Sequence, residues 1–370
     1  MVRRTARSLL VPAPAGMLAL FVVGAIRDHA VAADLVDAYL PAAHAVLHGH
    51  SPYATSVAEL TSGTAYVYPP LTAWLLAPLV GLGLPAIETV AVMLMLASVA
   101  GALGLLGVRD GRCYLVVLLW LPVLSAVQTA NIDLPLLLVV AALWRFRERT
   151  LVAGLLAGLA VALKLFAWPL LLWLAATRRF SAAAAGAVTA LVLVVTSWAP
   201  IGFSSLVGYP SMLDTVEHAE RGGSYTLAAL LAPEFSWGAA TAAGLLAGLA
   251  VLSLACRVAW NGDERRALSL AVLAMLMLSP IVWLDFFALL VAVVALRRPA
   301  FGRLWLVPLV FWLDPAVGNG APWQTALGLL VLGLAVGGIE ARERVSAGVE
   351  ALRRLRAGQR GSLEAGAIVP

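Results

Sequence analysis

The sequence predicts an all-α protein that crosses a membrane many times, and three observations predict it. Of 370 residues, 62% are hydrophobic and only 12% charged, and the mean hydropathy is +0.94; so few polar groups cannot clothe a water-soluble fold. The apolar residues come in runs far longer than the alternating strands of an outer-membrane barrel. The arginines fall in short turns between those runs, the placement of topological anchors. At roughly 20 residues per crossing, the apolar content allows about nine to eleven spans or partial spans. One membrane domain over 1–338 is expected, followed by a cytoplasmic tail over 339–370 that reads as an amphipathic helix and then disorder. A disordered chain, a secreted disulfide scaffold and a cytosolic enzyme are excluded. Cys113 and Cys256 match no metal or redox spacing.

Taken in order, Arg3, Arg4 and Arg7 precede the uncharged run from Ser8 to Ile26. The positive-inside rule therefore puts the N-terminus in the cytoplasm and the following loop outside. Ala30-Val31-Ala32 resembles a signal-peptidase site, but the long run before it suits a first span. In the outer loop Asp34, Asp37, Pro41, His44 and His48 recur at spacings of three and four, which makes a polar stripe on a helix. Leu35, Tyr39, Ala42 and Val46 form the opposing apolar stripe. The pattern predicts an amphipathic helix at the outer interface. Pro41 is comfortable only in a first turn, so Asp34 and Asp37 belong to a turn preceding the helix.

Tyr66 to Leu71 reads as an aromatic belt ahead of a run from Leu71 to Leu84, and a further run covers Glu88 to Val108. If each is a span, the basic turn Arg109 to Cys113 comes out external, against its charge. The segments Tyr114–Ala126, Ile132–Trp144, Leu151–Leu163 and Leu165–Thr177 are each roughly 20 Å as helix, short of the hydrocarbon core, so broken crossings are expected. Basic turns at Arg145–Arg149, Arg178–Arg179, Arg257–Arg266, Arg297–Arg303 and Arg342–Arg344 should be cytoplasmic. The stretches Gln128–Asp133, around Lys164, Pro200–Tyr225, Trp283–Asp285 and Asp314–Trp323 then face outward.

The chemistry-bearing residues gather on that outer side. A carboxylate at Asp34 or Asp37, partly desolvated at the lipid boundary, is a stronger base than an exposed one and suits deprotonation of a sugar hydroxyl. Gln128, Asn131 and Asp133 cluster between two short apolar segments. Lys164 is the only lysine; at bilayer depth it costs roughly 2.5–3.5 kcal/mol and needs a partner or an anion such as phosphate, the alternative being that it snorkels to the outer interface from between two short helices. His44, His48 and His218 read either as solvated loop residues or as ligands. Asp285 and Asp314, each beside aromatics, read either as interfacial caps or as functional groups. No nucleotide loop, HExxH or CxxC motif is present. The net charge of +5 and pI of 9.6 come from dispersed arginines, so no nucleic-acid partner is expected.

Together these residues resemble the polytopic GT-C glycosyltransferases of the alpha-1,2-mannosyltransferase type, glycosyltransferase family 87, which use polyprenol-phosphate-mannose and include phosphatidylinositol mannoside mannosyltransferases. The likeness runs through Asp34–Tyr39 to Ser51-Pro52-Tyr53, then Tyr66–Leu71 with Pro78-Leu79. It continues through Gln128, Asn131, Ala153-Gly154, Gly158-Leu159-Ala160, Lys164, Pro169 and Arg178-Arg179, and ends in Ser224–Leu227 and Ser279–Trp283. Two positions depart from the pattern. The family often has histidine and an aromatic where this chain has Asp285-Phe286, and the acid-to-tyrosine spacing in the first loop differs, leaving Asp34 and Asp37 as rivals.

The resemblance implies a GT-C-like helical fold in the plasma membrane, with both termini cytoplasmic and the site outside. It implies inverting transfer of mannose from a polyprenyl-phosphate donor to a glycolipid or cell-envelope glycan. Asp34 or Asp37 is the expected base, with His44, His48, Tyr68, Gln128, Asn131, Lys164, His218 and Asp285 expected to bind substrate. No metal or other cofactor is expected. A membrane transporter or flippase of lipid-linked sugar, and a non-catalytic relative of the family, are the alternative readings.

Overall fold

The computed structural model describes residues 31–221, 223–313 and 326–333. The expected first span over Ser8–Ile26, the Asp314–Trp323 turn and the tail from 339 lie outside the described residues, so the boundary at 338 does too. Among the described residues every regular element is helical. The chain is a helical membrane protein.

A single π-helical turn, Leu35–Tyr39, leads into α1 (Leu40–Leu47). Pro41 sits in the first turn of α1, where a missing N–H costs nothing. Leu35, Tyr39, Ala42 and Val46 are buried, whereas Asp37, Pro41, His44 and His48 are exposed, so the amphipathic stripe forms as expected. Next come α2 (Pro70–Leu76), α3 (Leu84–Leu105), α4 (Gly111–Val117), α5 (Leu121–Thr129), α6 (Asp133–Phe146), α7 (Thr150–Leu163) and α8 (Pro169–Ala176). The long α9 (Phe180–Trp198) is followed by α10 (Ser204–Glu220), α11 (Trp237–Trp260), α12 (Glu264–Leu278) and α13 (Leu290–Arg297).

Among the described residues three helices are long and apolar enough to cross a membrane: Leu84–Leu105, Phe180–Ile201 and Trp237–Trp260. α4 and α5 pass the same test only as a pair, bent by 67°, with Trp120 and Pro122 at the break. The remaining apolar helices are shorter. α6 and α7 have 14 residues each, about 21 Å against a hydrocarbon core of about 30 Å. They stop short for one reason: α6 begins at Asn131–Asp133, α7 ends at Lys164, and α12 ends at Ser279. Irregular backbone at membrane depth is tolerated where it lines a cavity, and these breaks surround one.

The bundle has two ends. At one, Arg147 and Arg179 each pair with Glu264 at 2.8 Å, tying the turns after α6 and α8 to the start of α12. At the other, the helix breaks converge. Between them α12 and α13 are buried almost all round, from Ala267 to Leu276 and from Leu290 to Leu296, as a central helix must be. α9 and α11 instead present Val188, Leu191, Val192, Leu246 and Leu249 outward, the lipid-facing pattern.

Close packing of α7 on α9 depends on glycine. A Cβ at Gly158 would meet the Gly186 carbonyl and Thr189 Cβ at 2.5 Å, and one at Gly154 would meet Ala185 Cβ at 2.7 Å. Small residues four apart allow this approach.

The conflict over the Arg109–Cys113 turn disappears in the fold. α2 does not cross: the Trp74 indole N–H donates to the Ser197 carbonyl at 3.0 Å, beside the far end of α9. α3 therefore starts at the same end as the cavity and delivers the turn to the arginine end. There Asp110 Oδ2 accepts the Phe301 N–H at 3.2 Å, and Arg112 lies 5.0 Å over the Phe301 ring. The expectation that Leu71–Leu84 spans fails because its proline-interrupted helix, ending in a 3-10 turn at Ala77–Leu79, is too short.

Candidate functional site

At the cavity end a recess of about 360 Å³ is walled by Asp34, Asp37, Tyr39, Tyr68, Asn131, Glu220, Tyr225, Trp283 and Asp285. Each wall comes from a break in helical structure. The π-helical turn presents Asp34 and Asp37 in different directions: Asp34 is half-buried, Asp37 exposed. π-turns recur at functional sites because the widened turn redirects a side chain. Tyr68 is carried by the 66–69 segment, whose Tyr66 hydroxyl donates to the Pro69 carbonyl at 2.7 Å and accepts the Ala73 N–H at 3.1 Å, fixing the loop onto α2. Tyr209 O–H donates to the Val67 carbonyl at 2.7 Å, so α10 braces the same segment.

The far wall joins two sequence motifs. Tyr225 N–H donates to the Val282 carbonyl at 2.8 Å, and the Ser224 hydroxyl accepts the Val282 N–H at 3.1 Å. This strap hangs Trp283 and Asp285 over the recess. The Trp283 indole donates to Glu220 at 3.3 Å, closing the rim from α10.

Asn131 is the hub. Its Nδ2 donates to Asp34 Oδ2 at 2.9 Å and approaches the Tyr68 hydroxyl at 3.5 Å. Its Oδ1 accepts the Asp133 N–H at 3.3 Å. Burial pushes the Asp34 carboxyl up to about 6, against the pull of the Asn131 hydrogen bond and the Lys164 charge. Lys164 itself is 2% exposed and pairs with Asp133 at 2.8 Å, Asp133 being 0% exposed. Its Nζ lies 3.6 Å over the Phe286 ring, which lids the pair.

The sequence-predicted residues thus separate. Asp34, Asp37, Tyr68, Asn131 and Asp285 line the recess. Lys164 lies behind the wall, and its placement does not suit a phosphate contact, since Asp133 already satisfies it. Gln128 is exposed and contributes its backbone carbonyl to the Ala32 N–H rather than its side chain to the recess. His44 and His48 lie on the exposed side of the chain in and just past α1, their ring centroids 4.3 Å apart and tilted by 33°, and His218 is exposed on α10, all three off the recess wall.

Sequence reasoning missed Tyr39, Glu220 and Trp283. Tyr39 reads as one more apolar-stripe residue, yet its hydroxyl is buried beside the recess without a hydrogen-bond partner among the described residues. Asp285 Oδ2 is buried too, but it faces the Asp133 carboxyl, whose Oδ1 likewise lacks a donor. Buried polar atoms left unpaired are uncommon and costly; the Tyr39 hydroxyl points at a polar ligand. Among the described residues no group of three or more His, Cys, Asp or Glu is arranged to hold a metal ion.

Among known families, the model of glycosyltransferase family 87 matches residues 66–280, more than half of the chain. The match includes Tyr68, Asn131, Asp133, Lys164 and Glu220, whereas Asp34, Asp37 and Asp285 lie outside it. No curated protein and no solved structure matches the chain.

Proposed function

The chain belongs to glycosyltransferase family 87 and is a membrane glycosyltransferase, and from that premise we propose that it moves mannose from a polyprenyl-phosphate donor to a glycolipid or cell-envelope glycan, with inversion, on the extracytoplasmic face. The observation that carries the proposal is Asp34: a half-buried carboxylate on the wall of a recess, held by Asn131 at 2.9 Å, at the end of the bundle opposite the arginine turns. The positive-inside rule makes the arginine end cytoplasmic and the recess extracytoplasmic.

In this reading Asp34 takes the proton of the acceptor hydroxyl as that oxygen attacks the anomeric carbon. The bond from the anomeric carbon to the phosphate oxygen breaks, and polyprenyl phosphate leaves with the electron pair from the opposite face. General-base help of this kind contributes roughly 10²–10⁴-fold. Asp37, exposed at the rim, meets the incoming acceptor. The Tyr39 hydroxyl, without a hydrogen-bond partner among the described residues, donates to a sugar hydroxyl, and Asp285 on the same wall accepts from one.

The leaving phosphate needs a cation, and Arg221 fits the need. Among the described residues it is the one arginine outside the turns of the arginine end. Its guanidinium lies 4.3 Å over the Trp237 ring, with Nε buried and unpartnered, and its neighbour Glu220 lines the recess. A preorganised guanidinium in a partly dry site stabilises developing phosphate charge.

The test is transfer of labelled mannose from polyprenyl-phosphate-mannose to endogenous glycolipid in membranes with matched amounts of wild type, Asp34→Asn or Asp37→Asn. Loss of transfer by roughly 10³-fold in Asp34→Asn alone supports the assignment. Absence of wild-type transfer above control membranes, across a range of lipid acceptors, overturns mannosyl transfer.

A further inference from the structure

We infer that Lys164 is the positioning residue of this site: clamped by Asp133, it holds the side-chain carbonyl of Asn131 so that the amide faces Asp34, and it brings one positive charge to that carboxylate without touching substrate. The inference rests on the reading of Asp34 as the base.

The backbone sets it up. α7 ends at Lys164, whose φ of −140° and ψ of 113° are extended, and a 3-10 turn over Leu165–Ala167 restarts the chain towards α8. This break delivers the only lysine of the sequence to the interior. An ammonium there requires a partner, and Asp133, on the first residue of α6, supplies it at 2.8 Å.

The pair is a poor device for stability alone. Replacing a buried ion pair by apolar residues of similar volume is often neutral or stabilising, because desolvation offsets the attraction. The ammonium makes one more contact, to Asn131 Oδ1 at 3.5 Å, and the Asp133 N–H reaches the same oxygen at 3.3 Å. Two donors on Oδ1 leave the amide only one favourable orientation. Its Nδ2 faces Asp34 Oδ2 at 2.9 Å; the flipped amide would set a carbonyl oxygen against a carboxylate and turn its NH₂ towards an ammonium.

Substrate cannot reach the ammonium. The Phe286 ring covers it at 3.6 Å, the Tyr68 ring stands at 5.0 Å and the Phe166 ring at 5.5 Å. The charged and titratable groups around Asp34 are Asp37 and Tyr39 from its own turn, Tyr68 from the 66–69 segment, Asp133 from α6, Lys164 after α7, Asp285 beyond α12, and Glu220 across the recess. Lys164 is the cation that acts on the Asp34 charge; Arg221, beside Glu220 at the rim, is not among the groups that do.

The experiment uses the full chain in membranes, comparing Asp133→Asn/Lys164→Met with wild type for kcat and donor KM between pH 5 and 8. Removing both charges together avoids stranding an unpaired buried ion. The expected result is a donor KM within about 2-fold of wild type, kcat lower by roughly 10-fold at pH 6, and an acid limb moved up by well under the shift that losing Lys164 alone would give, because losing the Asp133 charge offsets part of losing the larger Lys164 one. In an Asp34→Asn background the double substitution should cause no further loss, since residues acting through one another are non-additive.

A donor KM raised 10-fold or more with an unmoved acid limb would make Lys164 a substrate contact and overturn the inference, as would unchanged kcat and pH profile. If the double variant does not fold, Asn131→Ala, which leaves the ion pair intact, replaces it. A kcat loss at constant KM then supports the inference, and unchanged kcat overturns it. Asp34→Asn alone keeping full kcat removes the premise itself, an outcome separate from any result at Lys164.

Discussion

Asn131 and Asp34, 97 residues apart in the chain, meet through a 2.9 Å hydrogen bond on the wall of the recess. Burial nevertheless wins at Asp34, whose carboxyl is pushed up to about 6. As a base it must be ionised, so transfer is expected to fall as pH drops through about 6 and to level off above about 7. Rates measured from pH 5 to 8 in intact membranes check this. The sign for stability is opposite. The folded chain holds the Asp34 proton more tightly than the unfolded chain, whose carboxylate titrates near 3.8. This group therefore favours folding at low pH, and that contribution is lost as pH rises through about 6.

Tyr39 separates a structural hydroxyl from a functional one. Its ring packs edge-on against Tyr68 with centroids 5.4 Å apart, and its buried hydroxyl has no hydrogen-bond partner among the described residues. Tyr39→Phe keeps the ring and removes an unsatisfied group, so thermal stability in detergent should be unchanged or higher by up to about 1 kcal/mol. If the hydroxyl serves the sugar, kcat/KM should drop by roughly 10-fold while stability does not. Loss of stability together with activity would mean the hydroxyl is a structural group.

The helical membrane class was legible from composition alone, and the amphipathic helix from spacing, its apolar stripe Leu35, Tyr39, Ala42 and Val46 being buried. The short segments were legible as broken crossings. What closes the recess was not. The contact of Ser224 and Tyr225 with Val282 joins backbones 58 residues apart for the serine bond, and no local periodicity encodes it. Lys164 announced that it needed an anion, but a sequence cannot distinguish a phosphate from Asp133. The deciding fact is that α6 begins, and α7 ends, at the same level of the bundle.

Gly158 is expected to be the most sensitive glycine of the α7–α9 interface. An added methyl meets the Gly186 carbonyl oxygen and Thr189 Cβ at 2.5 Å, and a backbone oxygen inside a helix cannot swing away. Gly158→Ala should destabilise by about 2–3 kcal/mol, the scale of overpacking a well-filled interface. Gly238→Ala, with nothing within 4 Å of its new methyl, is the control and should stay within about 0.5 kcal/mol. Melting of the purified protein in detergent reads both. Equal effects would mean that α7 and α9 do not pack through these glycines.

Sidedness tests the functional reading independently of any assay of transfer. The Asp110 carboxylate holds the Phe301 N–H at 3.2 Å, so the turns before α4 and after α13 share one end of the bundle. Gly63 lines the recess at the other. Single cysteines replacing Arg109, Arg303 and Gly63, in a background with Cys113 and Cys256 changed to serine, should therefore label in two groups with an impermeant thiol reagent on intact cells. Gly63→Cys should react from outside, and Arg109→Cys and Arg303→Cys only after permeabilisation. Labelling of Arg109→Cys from outside while Arg303→Cys stays protected would break the shared end and with it the non-crossing α2. Labelling of both arginine positions from outside, with Gly63→Cys protected, would keep the fold but turn the recess to the cytoplasm. A lipid-phosphate sugar presented outside could not then be the donor.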